Sequence, residues 1–236
     1  MRRLGPALLL LLPMLAAGSV PARTEAGPMS EVPRDGEVLT FHWALKGFVG
    51  TLARIFVPGS GEGLIVNRPV GEGRFESEFR ITSKSAAKRE FWSYGSVIDR
   101  SSLRPLEAWN VSHYRGRDRR REIEIEEPGL IDIPTAIHLL RTAPPETPLR
   151  LRLWADGKIY PVLFESHGLQ YLRMEGRQVL VAAHSVVGLD EPGERTWEGR
   201  LDLWTTPDER ALPVEILFRR EGAKVLLTLV SPDPLG

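Results

Sequence analysis

Long stretches of the chain alternate apolar and polar residues with a period of two, which is typical of half-buried β-strands. In Glu37–Lys46, the apolar side chains of Phe41 and Trp43 fall on one face. Arg74–Thr82 repeats this pattern, with Phe79 among its apolar positions and charged residues between them. Both segments are therefore predicted to be strands that bury one face.

The same pattern predicts further strands in both halves of the chain. In the first half these are Phe48–Val57, Glu90–Ile98, Leu106–Tyr114 and Arg119–Glu126. In the second half they are Leu149–Trp154, Lys158–Glu165, Leu169–Met174, Arg177–Val186, Trp197–Trp204, Leu212–Arg219 and Lys224–Val230. Asp-Gly and Glu-Gly pairs between several of these segments favour hairpin turns. The glycine-rich run 59–63 is predicted to be a loose hairpin loop.

One segment, Pro134–Arg141, has the spacing of a helix instead. Its proline suits a first helical turn, and the two prolines that follow it cannot continue a helix. Ile137 and Leu140 belong to its apolar stripe. Asp132 stands just ahead of the proline and is predicted to cap the helix.

Together these elements predict an all-β domain, an antiparallel meander of about a dozen strands with one short helix. So many strands tend to curl into a strongly curved sheet, an open barrel or a two-layer sandwich. Phe41, Trp43 and Phe79 are expected on its apolar face, with Ile137 and Leu140 of the helix turned toward them. These side chains either surround an apolar cavity that the helix covers as a lid or fill a solid core.

The N-terminus has the three parts of a secretory signal peptide. Arg2 and Arg3 precede a run of five leucines, and small residues end the segment at Ala22. The apolar run is shorter than the roughly 20 residues of a spanning helix. We predict a signal peptide over residues 1–22, cleaved after Ala22 or alternatively after Gly18. A flexible tether over 23–36, a single β-rich domain over 37–231 and a tail over 232–236 complete the predicted organisation.

Composition narrows the classes of protein to which the chain can belong. It holds 31 Lys and Arg against 31 Asp and Glu, and removal of the signal peptide would leave 29 against 31. Such a balance argues against general nucleic-acid binding, which needs a basic excess. The absence of cysteine excludes disulfides and lipidation on a cysteine. We therefore expect a soluble, non-lipidated periplasmic protein that is not transmembrane once its signal peptide is removed.

No motif for catalysis, cofactor binding or metal binding stands out in the sequence. The five histidines are not at metal-ligand spacing: His42, His113, His138, His167 and His184. Adjacent residues in Ser166-His167 and in His184-Ser185 are expected to point to opposite faces of a strand. The glycine-rich run lacks the lysine of a phosphate-binding loop. We predict no catalytic, cofactor or metal site and no enzymatic activity.

Residues 115–121 hold five arginines, the one local excess of charge. Such a cluster could bind anionic lipid head groups or phosphates. Glutamates follow at positions 122, 124, 126 and 127 and could neutralise the arginines across neighbouring strands. On this ground a solvated hairpin is the favoured interpretation.

Several short motifs occur together in a fixed order. They are Gly36-Glu37-Val38-Leu39-Thr40-Phe41-His42-Trp43, Ser102-Leu103-Arg104-Pro105, the helical segment from Asp132 to Arg141, and the segment from Trp204 to Val214. In this order and spacing the chain, from about Glu37 to Leu229, resembles the bacterial exported "domain of unknown function 3108" family. The resemblance implies an exported, β-rich envelope protein of Gram-negative-type bacteria, and it supplies no activity.

The motif residues have structural explanations. Asp208 follows a proline in a turn, where its carboxylate can accept backbone N–H bonds, and Arg210 could bond to it. Pro213 suits an edge position or the start of a strand. The residues expected to be structural are Asp132, Arg141, Trp204, Asp208, Arg210 and Pro213.

The preferred hypothesis is a non-enzymatic periplasmic protein that binds an apolar or amphipathic envelope ligand, such as a lipid or acyl chain. A curved antiparallel sheet with a helix is similar to periplasmic lipoprotein carriers at the level of fold alone. The alternative is an envelope-assembly protein that acts through protein–protein contact, and the third is an exported hydrolase. An apolar cavity would favour the first, an exposed apolar patch on a solid core the second, and convergent titratable groups in a cleft the third.

Overall fold

The computed structural model describes residues 36–46, 59–83, 90–220 and 222–230, and the structural statements that follow concern these residues. The predicted signal peptide, nearly all of the predicted tether, the predicted strand Phe48–Val57 and the predicted tail lie outside the described residues.

Thirteen strands and one helix make up the described structure. The first six strands are β1 Val38–Lys46, β2 Ser60–Gly71, β3 Arg74–Ser83, β4 Phe91–Asp99, β5 Pro105–Tyr114 and β6 Arg117–Glu124. A short strand β7, Leu130–Asp132, leads directly into helix α1, Ile133–Thr142. The remaining strands are β8 Leu149–Ala155, β9 Lys158–Met174, β10 Arg177–Gly188, β11 Arg200–Thr205, β12 Pro213–Arg220 and β13 Ala223–Leu229.

All thirteen strands belong to one sheet, in the order β6-β5-β4-β3-β2-β1-β13-β12-β11-β10-β9-β8-β7. Neighbours in the sheet are neighbours in the sequence except at the centre, where β1 pairs with β13. The predicted meander is therefore confirmed as a single sheet, and the two-layer sandwich is not formed. The sheet is also not antiparallel throughout, because β7 and β8 are parallel. Helix α1 joins these two strands and supplies the crossover that a parallel pair requires.

Helix α1 packs against one face of the sheet and contacts β3, β4, β7, β8 and β11. These strands lie far apart in the sheet order, so the sheet has to curve around the helix. One core of buried apolar side chains results, drawn from the helix and from strands on both sides of β1. The prediction of a strongly curved sheet with one short helix is confirmed.

The two edges of the sheet, β6 and β7, approach each other without pairing. Ala108 and Ile123 beside one edge pack with Leu130 and Trp154 at the other in a second, smaller core. Side chains, rather than backbone hydrogen bonds, therefore bring the edges together. The barrel is open between β6 and β7.

The glycine-rich run 59–63 is not the predicted loop, because strand β2 begins at Ser60. Gly61 lies opposite Trp43 of β1. A β-carbon at Gly61 would collide with the Thr82 carbonyl oxygen and with the Trp43 indole. The glycine is needed where a bulky neighbour crosses the strand closely, so here it belongs inside a strand.

A second correction concerns the hairpin of β9 and β10. The predicted strands Lys158–Glu165 and Leu169–Met174 form one strand of 17 residues. The pairing register shifts between Ala183 and His184, and Gly168 on the facing strand has a φ of 73°. This β-bulge changes the alternation of faces in mid-strand, which is why the sequence pattern divides the strand in two.

Candidate functional site

An apolar cavity of about 290 Å³ opens at one end of the curved sheet, which we call the cavity end. The ends of β1 and β3, the starts of β4, β13 and α1, and the end of β12 form its walls. Aromatic and aliphatic side chains dominate the lining, among them Trp43, Phe79, Trp92, Ile133, Phe218 and Val225. The cavity is thus a continuation of the core that side chains leave unfilled.

Two of the five residues predicted on the apolar face line this cavity. The Trp43 indole Nε1 donates a hydrogen bond of 2.8 Å to the Thr82 carbonyl oxygen, which orients the ring along the wall. Phe79 stacks on Phe218, with ring centroids 5.3 Å apart. These contacts give the cavity two rigid aromatic walls.

The other three predicted residues, Phe41, Ile137 and Leu140, lie in the main core and do not line the cavity. All three are at most 2% exposed. Of helix α1, Ile133 in the first turn reaches the cavity. The helix therefore fills the interior behind the cavity and does not cover it as the predicted lid.

One side of the cavity mouth is polar. The Tyr94 hydroxyl donates to Asp156 Oδ1 at 3.1 Å, and Arg220 Nη1 donates to Asp156 Oδ2 at 2.7 Å. Arg121 Nη1 donates to the Asp156 carbonyl oxygen. Burial and the Asp156 carboxylate raise the pKa of Tyr94 far above its ordinary value, so the hydroxyl stays a neutral donor. The site is therefore apolar inside and charged on one side of its rim.

The far end of helix α1 is closed by paired charges, and we call it the Arg141 end. Arg141 makes two hydrogen bonds to the Glu37 carboxylate, at 2.9 and 2.8 Å. Its Nε donates to the Ala211 carbonyl oxygen at 3.0 Å. Asn67 Nδ2 also donates to Glu37, at 2.8 Å. The Arg141 side chain is only 4% exposed, so this bidentate pair is buried and fixes the helix end to the start of β1.

Asp208 stands in the turn between β11 and β12, where the structure brings three motif residues together. Its Oδ1 accepts from Thr206 Oγ1 at 2.5 Å and its Oδ2 from Arg210 Nε at 3.0 Å. Partial burial acts to raise the pKa of Asp208, but these hydrogen bonds hold it below its ordinary value. Pro213 then begins β12. The bond from Arg210 to Asp208 is the one considered from the sequence, whereas the second donor is the Thr206 hydroxyl group. The turn adjoins the Arg141 end through Ala211.

Two titratable side chains of the helix region are buried in the interior. Asp132 caps α1 as predicted, accepting from the Thr135 N–H at 3.2 Å, and burial raises its pKa to about 7. The His138 ring packs on the Phe75 ring, with the ring centroids 5.0 Å apart. Neither of its ring nitrogens has a hydrogen-bond partner among the described residues. Burial, with the Arg141 charge, lowers the pKa of His138 to about 3.

The bulge in the β9–β10 hairpin pairs two serines with two histidines, which the sequence analysis did not foresee. Ser166 Oγ lies 3.1 Å from His184 Nδ1, and His167 Nε2 lies 2.8 Å from Ser185 Oγ. Burial and the neighbouring His167 lower the pKa of His184 to about 4. Each of these side chains meets a partner across the strand pair. None of the four lines the apolar cavity.

Trp204, the remaining motif residue, is half-buried on β11. Its indole nitrogen has no hydrogen-bond partner within the described ranges. Among the described residues no group of three metal-ligating side chains comes together. The ten-residue helix α1 is too short to cross a membrane, and the described part of the chain contains no other helix that could.

Comparison with protein-family models and with curated protein sequences finds no match. Two solved structures are similar in outline. One is a β-barrel-like protein of domain of unknown function 1849 from Brucella abortus, which is 8% identical to this chain with a TM-score of 0.44. The match covers 85% of this chain and 98% of the Brucella chain. The other is the hypothetical lipoprotein YmcC from Escherichia coli, which is 13% identical with a TM-score of 0.37. This match covers 84% of this chain and 88% of the YmcC chain. Similarities this weak assign no function, and the resemblance to the domain of unknown function 3108 family stays a prediction.

Proposed function

We propose that this protein is an exported, periplasmic protein that binds the acyl chain of a lipid or of another amphipathic envelope ligand in the cavity, without catalysing a reaction on it. The observation that carries the proposal is the combination of an apolar cavity with a charged rim on one side. An amphipathic ligand has the same two-part character. Export rests on the predicted signal peptide.

The size of the cavity indicates how much of such a ligand it holds. Sites for small molecules commonly enclose roughly 300–1,000 Å³, so 290 Å³ is at the lower end of this range. The cavity suits one chain better than the two chains of a whole phospholipid. Each buried methylene contributes about 0.8 kcal/mol. Affinity is therefore expected to rise with chain length and to level off once the cavity is full.

Displacement of a fluorescent hydrophobic dye by saturated fatty acids of increasing chain length tests the proposal. Val225 lines the cavity at the start of β13 and is only partly buried. Val225→Trp should fill the cavity and weaken dye and fatty-acid binding by about tenfold or more, since a tenfold loss requires only about 1.4 kcal/mol. Native mass spectrometry of protein purified from its own envelope should show a retained lipid as added mass.

Val230→Trp is the matched control, because Val230 follows the same strand at its other end and is 57% exposed. It should leave binding unchanged. Equal binding by the parent protein and Val225→Trp, with both folded, would place the ligand elsewhere. If the parent protein binds neither dye nor fatty acid, the proposal is wrong.

A second candidate function, protein–protein contact in envelope assembly, is favoured by one specific observation. The outer part of the β9–β10 hairpin exposes Leu169 and Tyr171, which are 62% and 71% exposed. Leu180, directly opposite Tyr171, is 38% exposed on the same face. Exposed apolar patches of this kind mark interaction surfaces. Loss of a cross-linked envelope partner in Tyr171→Ser, with lipid binding intact, would favour this candidate.

A further inference from the structure

Strand β6 separates positive from negative charge along its length. Its first five residues are four arginines and Asp118, whereas its last three include Glu122 and Glu124. From Arg117 to Glu124 the strand extends about 23 Å, at roughly 3.3 Å per residue. This exceeds the screening length of about 10 Å at 0.1 M salt. Of the four glutamates expected to neutralise the arginine cluster, Glu122 pairs with Arg120 and Glu127 pairs with Arg152 instead. The length of the strand separates Glu124 from Arg117.

The arginine-rich turn lies at the cavity end. Trp92, which lines the cavity, packs on Tyr114 at the end of β5, with ring centroids 5.5 Å apart. Arg121 donates to the Asp156 carbonyl oxygen at the cavity rim. The β5–β6 turn is thus fixed beside the mouth of the cavity.

Two arginines at the start of β6, Arg117 and Arg119, have no ion-pair partner in the described parts of the chain. The other charges nearby are engaged: Arg120 pairs with Glu122, and Asp118 with His113. Arg117 and Arg119 are both exposed. Alternation along β6 places them on the same face as Ile123, the face that packs inward toward the second core. Arg121 belongs to the same face and reaches Asp156 at the cavity rim, so Arg117 and Arg119 lie on the side of the strand nearer the mouth.

Further basic residues lie close in sequence to residues that line the cavity. Lys46 and Lys224 are direct cross-strand neighbours at the ends of β1 and β13, both are exposed, and Lys158 begins β9. Like charges directly opposite each other on neighbouring strands destabilise a sheet. A cluster of neighbouring exposed cations fits an anionic surface outside the molecule.

We propose that the cavity end, including the β5–β6 hairpin, docks on the surface of an anionic lipid bilayer. Basic residues near such a surface are attracted by its negative potential, and aromatic residues such as Trp92 and Tyr114 suit the interfacial layer. Docking in this orientation would bring the mouth of the cavity against the source of an acyl chain. The inference goes beyond ligand binding, since a cavity can bind free fatty acid without any contact with a membrane.

Co-sedimentation with vesicles tests the docking surface. The parent protein should bind vesicles of 70% phosphatidylcholine and 30% phosphatidylglycerol, and it should not bind pure phosphatidylcholine. The double variant Arg117→Glu/Arg119→Glu should bind the anionic vesicles roughly thirtyfold more weakly or worse, because each basic residue contributes about a fivefold factor. Binding should also fall steeply between 0.1 and roughly 0.5 M salt.

The matched control is Arg173→Glu/Arg177→Glu, which reverses two exposed arginines at the tip of the β9–β10 hairpin. This variant should bind the anionic vesicles as the parent protein does. The proposal is overturned if the parent protein does not bind anionic vesicles, or if both double variants lose binding equally. Full competition by millimolar inorganic phosphate would also overturn it, because it would indicate a site for free anions. Dye displacement by fatty acid in the absence of vesicles reports on the cavity separately, so failure of either proposal is distinguishable.

Discussion

Helix α1 connects two ends of the molecule that are built in opposite ways. At the Arg141 end, a buried arginine meets Glu37 and the turn of Asp208, and nearly every charge has a partner. At the cavity end, aromatic walls around Trp43 leave a volume unfilled and the rim carries excess positive charge. The difference indicates that the first end supports stability and the second supports binding, so substitutions should separate the two properties.

The largest expected effect is at the Arg141 end. Arg141→Met should lower the free energy of unfolding by about 3–5 kcal/mol, because it leaves the Glu37 carboxylate buried without its partner. Denaturant unfolding measures the loss. Arg210→Met, which breaks a pair with half of the arginine side chain exposed, should cost less than about 1 kcal/mol. Equal losses in the two variants would contradict the contrast between the ends.

A smaller effect is expected from His138, and it depends on pH. The pKa of His138 is about 3 in the folded protein, against an ordinary value near 6.5. Between these two pH values the ring is protonated in the unfolded chain and neutral in the folded protein. The neutral ring therefore favours folding above pH 6.5, and this stability is lost as the pH falls toward 3. Between pH 7 and pH 4.5 the free energy of unfolding should therefore fall less in His138→Leu than in the parent protein, by on the order of 2 kcal/mol.

Asp132 provides the control of opposite sign for this measurement. Its folded pKa is raised to about 7, so its contribution is full below its ordinary value near 3.8 and is lost as the pH rises through 7. Asp132→Asn keeps the helix cap, and its stability should fall less than that of the parent protein as the pH rises toward 8. Unfolding curves for both variants across pH 4.5–8 check the two signs. Parallel pH profiles for the parent protein and His138→Leu would exclude His138 as a source of acid sensitivity.

Asp208→Ala should destabilise the protein by roughly 1–2 kcal/mol, comparable to the loss of a helix cap. The reason is that Thr206 and Arg210 lose their common acceptor. Thermal melts of this variant and of Asp208→Asn, which keeps an acceptor oxygen, measure the effect. An unchanged melting temperature accompanied by loss of biological function would mean that Asp208 belongs to a functional site.

The smallest effect is expected at the cavity rim. Tyr94→Phe removes the hydroxyl that donates to Asp156, but Arg220 still pairs with that carboxylate. The cost should be about 1 kcal/mol, as for one hydrogen bond, and the cavity should keep its affinity for fatty acid. Unfolding curves and dye displacement on the same sample check both statements. A loss of stability as large as that of Arg141→Met would remove the distinction between the two ends.

The period-two pattern was enough to predict most of the strands, because it records directly which residues face the core. It failed where a local contact overrides the pattern. Gly61 belongs to a strand because the Trp43 indole crosses it, and the bulge near Gly168 reverses the alternation within β9. Neither contact is visible until the strands are paired.

The cavity could be predicted only as one of two alternatives. Trp43 and Phe79 line it, whereas Phe41 and Ile137 lie in the solid core, although all four follow the same apolar pattern. Which of them meets empty volume depends on where α1 begins inside the curved sheet. The buried pair of Arg141 with Glu37 could not be predicted from the sequence either, because 104 residues separate the two side chains.

The pairing of β1 with β13 also has a kinetic meaning. Phe41 lies opposite Leu229, whereas every other strand pair joins strands that are consecutive along the chain. Closing such a long loop costs entropy before its contacts repay it, so we expect the centre of the sheet to form last. If the chain is exported as we propose, its sheet would remain incomplete until β13 had crossed the membrane. Until then β1 keeps an open edge, and a truncation that removes β13 should leave a protein prone to aggregate.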